Sequence, residues 1–129
     1  MLLFDTCALV FDALEPKRLS AKARALIERE AAAGSLAMSD ISLWEIAMLV
    51  ERGRLDPGID AASFCRLAIR ARNLTVLPIT VEIAARSVTL SLHGDPADRL
   101  IAATAIEHHA PLVTTDELLL ACADVRTLK

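Results

Sequence analysis

Along this chain, short apolar runs alternate with longer segments of helical period. Leu2-Leu3-Phe4 is apolar throughout and stops at Asp5-Thr6, where a loop or helix start takes over. An unbroken run of that length suits a parallel strand covered on both faces. Ser20 is placed to cap a helix over 21–33, with Ala25, Leu26, Ala32 and Ala33 as its buried surface and Glu28, Arg29 and Glu30 toward water; Gly34 ends it. Leu36-Ala37-Met38 is a second strand, closed by Ser39-Asp40. Ser42 followed three residues later by Glu45 has the spacing of a capping box, which opens a helix reaching about residue 52. On it Leu43, Ile46, Ala47 and Val50 form one stripe, widened by Trp44, Met48 and Leu49. Few positions are left for water, so part of this helix should meet a second layer of the fold or a partner chain.

Asp56-Pro57-Gly58 marks a turn, and Asp60 caps a helix to about residue 72. Thr75-Val76-Leu77-Pro78-Ile79 reads as a third strand, near an edge because of its proline. Thr80 opens a helix to about residue 92, and Gly94 breaks the chain ahead of the next one. There Asp95 is the cap, Pro96 fits the first turn and Asp98 faces the positive end of the helix dipole. After Pro111, Leu112-Val113 is a fourth strand ending at Thr114-Thr115-Asp116; a short helix from Glu117 and a strand around Val125-Arg126-Thr127 follow. Strands alternating with helices predict one α/β domain over 1–129, built on a mostly parallel sheet.

Composition narrows the function. Only Phe4, Phe11, Phe64 and Trp44 are aromatic, too few for a nucleic-acid module of stacking platforms, and a net charge of −3 gives no general basic footprint. Any polyanion must be bound locally. Cys7, Cys65 and Cys122 are odd in number and lie in apolar runs, so they read as reduced, in keeping with a cytoplasmic setting. The first eleven residues lack a basic flank and carry Asp5, unlike a secretory signal, and no apolar stretch reaches the length of a membrane span.

In open α/β sheets, sites form beyond the carboxyl ends of the strands. Asp5 follows the first strand, Asp40 and Glu45 the second and Asp116 the fourth, while Asp98 joins them if the helix after the third strand carries the chain back. Each acid also reads as a helix-start residue. Gathered on one edge, however, each close pair repels by up to about 4 kcal/mol at an effective dielectric near 20 and 4 Å. Helix N-termini offset less than about 1 kcal/mol each, so a divalent cation would restore the balance. Oxygen donors without thiolate or paired histidine favour Mg²⁺ or Mn²⁺, and His93 reads as a loop residue before it reads as a ligand or base.

Four pieces, in this order, carry a resemblance: Leu2-Leu3-Phe4-Asp5-Thr6 with Ala8-Leu9; Ser39-Asp40-Ile41-Ser42-Leu43-Trp44-Glu45-Ile46; Asp95-Pro96-Ala97-Asp98-Arg99-Leu100-Ile101-Ala102-Ala103-Thr104-Ala105; and Leu112-Val113-Thr114-Thr115-Asp116. Together they resemble the PIN-domain ribonucleases, specifically VapC-type toxins of toxin–antitoxin pairs. The resemblance implies a three-layer fold with a five-stranded sheet and a catalytic, metal-holding quartet of Asp5, Glu45, Asp98 and Asp116. It adds Asp95 as a cap first and a ligand second, Thr6 and Thr114 as supporting hydroxyls, and Cys7 where relatives often have histidine. It further implies one or two Mg²⁺ or Mn²⁺ ions, homodimers, an RNA substrate and an inhibiting antitoxin.

The expected reaction is metal-assisted hydrolysis of an RNA phosphodiester, with no protein nucleophile. Arg99, Arg66, Arg70 and Arg72 are the candidates for phosphate contacts. Two other classes compete. A phosphotransfer receiver fits poorly, because the third strand lacks a phosphoacceptor aspartate and no lysine follows a late strand. A catalytically silent interaction module with the same fold would have no need of four mutually repelling acids.

Overall fold

The computed structural model describes residues 1–92 and 94–129; His93, expected from the sequence to be a loop residue, lies outside them. Five strands form one sheet: β1 (Leu2–Phe4), β2 (Leu36–Ser39), β3 (Thr75–Leu77), β4 (Leu112–Val113) and β5 (Thr127–Leu128), in the order β3-β2-β1-β4-β5. Every pairing is parallel, with Leu3 opposite Ala37 and Leu112, and Phe4 opposite Met38 and Val113. β3 sits at the edge, as expected, but it ends at Leu77, so Pro78 and Ile79 lie beyond the strand rather than in it.

Seven α-helices cover the sheet among the described residues: α1 (Thr6–Leu14), α2 (Ala21–Ala32), α3 (Ile41–Glu51), α4 (Ala61–Arg72), α5 (Val81–Ser87), α6 (Pro96–Glu107) and α7 (Glu117–Leu120). Strand alternation divides the core in two. Leu2, Phe4, Leu36, Met38 and Val113 face a layer built from α1 to α4, through Ala8, Leu9, Ile27, Ile46 and Phe64. Leu3, Ala37 and Leu112 face the opposite layer, where Ile83 of α5, Ile101 of α6 and Leu119 of α7 pack. Burial on both faces explains why these strands read as continuous apolar runs. No described helix is long and apolar enough to cross a membrane.

Three expectations need correction. The buried face of α2 is Ala23 and Ile27, one turn apart, with Leu26 partly covered; Ala25, Ala32 and Ala33 are exposed. In an alanine-rich helix the small residues mark no stripe, and the one bulky β-branched side chain decides the face. The helix after Thr80 stops at Ser87 rather than near residue 92. Side chains take up its terminal carbonyls: Ser87 donates to Ala84, Thr89 to Arg86, and the Arg99 guanidinium to Ser87 and Leu90. The last strand lies at Thr127–Leu128, because Val125 is drawn into the core.

Candidate active site

The sheet order places a switch beside β1. The chain winds from β1 through β2 to β3 on one side, then returns to β4 on the other, so the loops after β1 and β4 diverge and leave a crevice. Asp5 leaves β1 and Thr114 to Asp116 leave β4 at that crevice.

Asp5 is buried and caps α1, its Oδ1 accepting the Ala8 N–H at 2.7 Å. Its Oδ2 accepts a hydrogen bond from the buried Thr114 hydroxyl, whose oxygen in turn accepts the Asp116 N–H at 3.0 Å. Asp116 caps α7 through the N–H groups of Leu118 and Leu119. A chain of polar contacts therefore joins the ends of β1 and β4.

A second chain joins α1 to α3. Thr6 donates to Glu45 Oε1, and its hydroxyl lies 2.9 Å from that of buried Ser42. The capping-box reading of Ser42 and Glu45 is therefore wrong. The helix begins two residues earlier, at Ile41, with Asp40 in helical conformation and no side-chain cap. Ser42 and Glu45 instead reach across to Thr6, a partner far away in the chain.

α6 brings the third element to the same edge. Asp95 caps it, accepting the Asp98 N–H at 2.9 Å, with Pro96 in the first turn. Gly94 packs directly against Asp98: a Cβ at position 94 would stand 3.0 Å from the Asp98 Cβ and 3.2 Å from its Oδ2. The absence of a side chain there lets the acid sit close to its own loop.

Electrostatics shows that the acids share one place. Burial raises the Asp98 pKa, and the charges of Asp95, Asp116, Glu45 and Asp5 raise it further, to about 7. Glu45 is raised by burial against the lowering effect of Thr6, with Asp95 and Asp5 adding to the rise. Asp5 is raised by burial, opposed by Thr114 and the Ala8 N–H, with a contribution from Asp116. The Cys7 thiol, close by, is pushed up to about 11 by burial and by Asp5, Glu45, Asp98 and Asp116. Asp40 stands apart, one carboxylate oxygen accepting the Ile79 N–H at 3.3 Å and the other buried without a partner.

Among the described residues, no three His, Cys, Asp or Glu side chains form a ready-made metal cage. Hydroxyl and N–H donors instead bind Asp5, Glu45, Asp95 and Asp116 one by one. Their chemistry nonetheless fits a divalent cation: the donors are all oxygen, and three of them resist ionising together without a counter-charge.

Of the four candidate phosphate contacts, two are occupied elsewhere. Arg72 donates to both oxygens of Asp12 at 2.9 Å and pairs with Glu28 at 2.9 Å, locking α4 to α1 and α2. Arg99 donates to the carbonyls of Ser87 and Leu90, each at 3.2 Å, and so fixes the approach to Asp95. Arg66 and Arg70 are exposed. Sequence reasoning gave no signal for Ser42 as a partner of Thr6 or for Gly94 against Asp98.

The chain and its fold are similar to known proteins. The family model for the PIN domain matches residues 2–124. The chain is 42% identical over 119 residues to "Ribonuclease VapC22" of Mycobacterium tuberculosis, covering 91% of this chain and 88% of the relative. Among solved structures, VapBC2 from Rickettsia felis bound to a promoter DNA fragment matches with a TM-score of 0.74 at 18% identity, over 98% of this chain and 96% of that one. DNA-bound VapBC from Salmonella typhimurium gives 0.73 at 20%, over 98% and 97%, and FitAcB from Neisseria gonorrhoeae 0.66 at 22%, over 100% and 97%.

Proposed function

The chain belongs to the PIN-domain family, and on that premise we propose that it is an endoribonuclease acting as the toxin of a toxin–antitoxin pair. The observation that carries the reading is the convergence of Asp5, Glu45, Asp95, Asp98 and Asp116 at one sheet edge, where burial first, and then the other four carboxylates, raise the Asp98 pKa to about 7. The relative's designation as a ribonuclease and the toxin–antitoxin complexes of the same fold support it.

Asp5, Glu45, Asp98 and Asp116 are the residues that would hold one or two divalent ions, Mg²⁺ or Mn²⁺, with Asp95 beside them. When bound, such an ion lowers the pKa of a coordinated water and neutralises charge on the phosphate oxygens. The protein's own residues do the positioning. Thr114 orients Asp5 and the Asp116 loop together, Thr6 orients Glu45, and the cap formed by Asp95 fixes the helix turn that presents Asp98. Asp98, with its pKa near 7, is placed to exchange a proton around neutral pH when no cation is present. Arg66 and Arg70 are the remaining candidates to guide the RNA backbone. The activity resides in a single domain, in the cytoplasm, as a homodimer restrained by a VapB-like antitoxin.

The test is incubation of total cellular RNA with the purified protein in Mg²⁺, in Mn²⁺ and in chelator, beside single-stranded DNA. Discrete RNA products that require the ion are expected. Metal-independent degradation, or equal cutting of DNA, would overturn the reading.

A further inference from the structure

A cavity of about 270 Å³ adjoins the acids, between α3 and the start of α6, and its walls include Trp44, Glu45, Met48, Arg52, Asp95 and Pro96. Glu45 and Asp95 belong to both the cavity and the acid cluster, so whatever fills the cavity lies beside the acids. Trp44 is 57% exposed here, although tryptophan is among the side chains most covered on average.

The phenylalanine rings are taken. Phe4 and Phe64 are buried in the core, and Phe11 lies under the Arg18 guanidinium, 4.0 Å from its centroid. Of the phenylalanine and tryptophan rings, Trp44 therefore keeps a free face, and it sits next to the acids. Charge decides which part of an RNA it takes. Glu45 and Asp95 repel a phosphate at this wall, whereas Trp44, Met48 and Pro96 offer apolar surface to the face of a base. Among the described residues, Arg52 is the wall's one cation.

We infer that this cavity is a nucleobase subsite, in which Trp44 stacks on a base flanking the bond that is cut and Arg52 meets the next phosphate outward. The inference rests on the ribonuclease reading. Stacking on a ring tolerates any base, so the subsite adds affinity without fixing sequence. Binding of this kind is felt alike by substrate and transition state, so its loss raises KM and spares kcat.

The experiment measures steady-state cleavage of a short oligoribonucleotide by wild type, Trp44→Leu and Trp44→Phe. Leucine keeps apolar area but no ring, and KM should rise about 5- to 150-fold with kcat little changed; phenylalanine should recover most of the loss. Because Trp44 is the only tryptophan, its fluorescence reports on this cavity alone. In an Asp98→Asn background the same oligonucleotide should quench it saturably, and less when the base beside the cleaved bond is removed. A cutting enzyme indifferent to Trp44→Leu overturns the subsite alone. Wild type that cuts no RNA overturns the ribonuclease reading and the subsite with it. Fluorescence that changes with protein concentration but not with RNA assigns the cavity to a protein contact and also overturns the inference.

Discussion

Replacing Asp98 by asparagine should make the metal-free protein more stable at alkaline pH while removing its activity. In the unfolded chain this carboxyl ionises near 3.8, and in the folded protein near 7, because burial and the charges of Asp95, Asp116, Glu45 and Asp5 oppose ionisation. Between those values the folded state keeps a proton that the unfolded state has lost. Stability therefore falls as pH rises from about 4 to 7, and the full penalty is present above that. The interval corresponds to about 4 kcal/mol, at about 1.4 kcal/mol per decade of proton affinity. Asp98 is only half-buried, and solvent screening reduces the working figure to about 2 kcal/mol. Asparagine also forfeits the attraction of a carboxylate to the helix N-terminus, below about 1 kcal/mol, leaving a net gain of at least about 1 kcal/mol at pH 8 and none at pH 4. Urea unfolding of both proteins in chelator at the two pH values measures it. A variant less stable than wild type at pH 8, or a difference independent of pH, would refute a strained carboxylate and make Asp98 a structural helix-start residue.

Two further predictions concern the arginines. Arg72→Met should destabilise the protein by about 3–5 kcal/mol in urea, because it strands Asp12, whose side chain is 5% exposed; adding Asp12→Asn should restore most of the loss. The salt dependence of RNA binding separates contact from support. Arg66→Gln or Arg70→Gln should each flatten the slope of log affinity against log salt by about 0.7. Arg99→Gln should leave that slope unchanged and lower kcat, since its guanidinium holds the Ser87 and Leu90 carbonyls ahead of Asp95; an equal flattening would return Arg99 to the phosphate contacts.

The layers and the crevice were legible in the sequence because strands buried on both faces read as apolar runs, and because Asp5, Asp95 and Asp116 sit at helix starts that local chemistry announces. What failed was long in range. Ser42 and Glu45 satisfy a capping-box pattern over four residues, yet the hydroxyl they meet is Thr6, on another helix. Arg72 and Arg99 look like free cations until the fold supplies Asp12, Glu28 and the carbonyls closing α5. Alanine-rich α2 carries too little contrast for its face to be read, and Ile27 alone fixes it. Gly94 announces a break, but its closeness to Asp98 appears only once α6 has formed.

The proposed function has four acids at one sheet edge cut RNA through a divalent ion. Its most direct test is single-turnover RNA cleavage by wild type and by Asp5→Asn, Glu45→Gln, Asp98→Asn and Asp116→Asn, in Mg²⁺ and in Mn²⁺, each variant first shown to be folded. Ion-dependent products are expected from wild type and none from the four variants. Cleavage that survives in folded variants, or that persists in chelator, would contradict it.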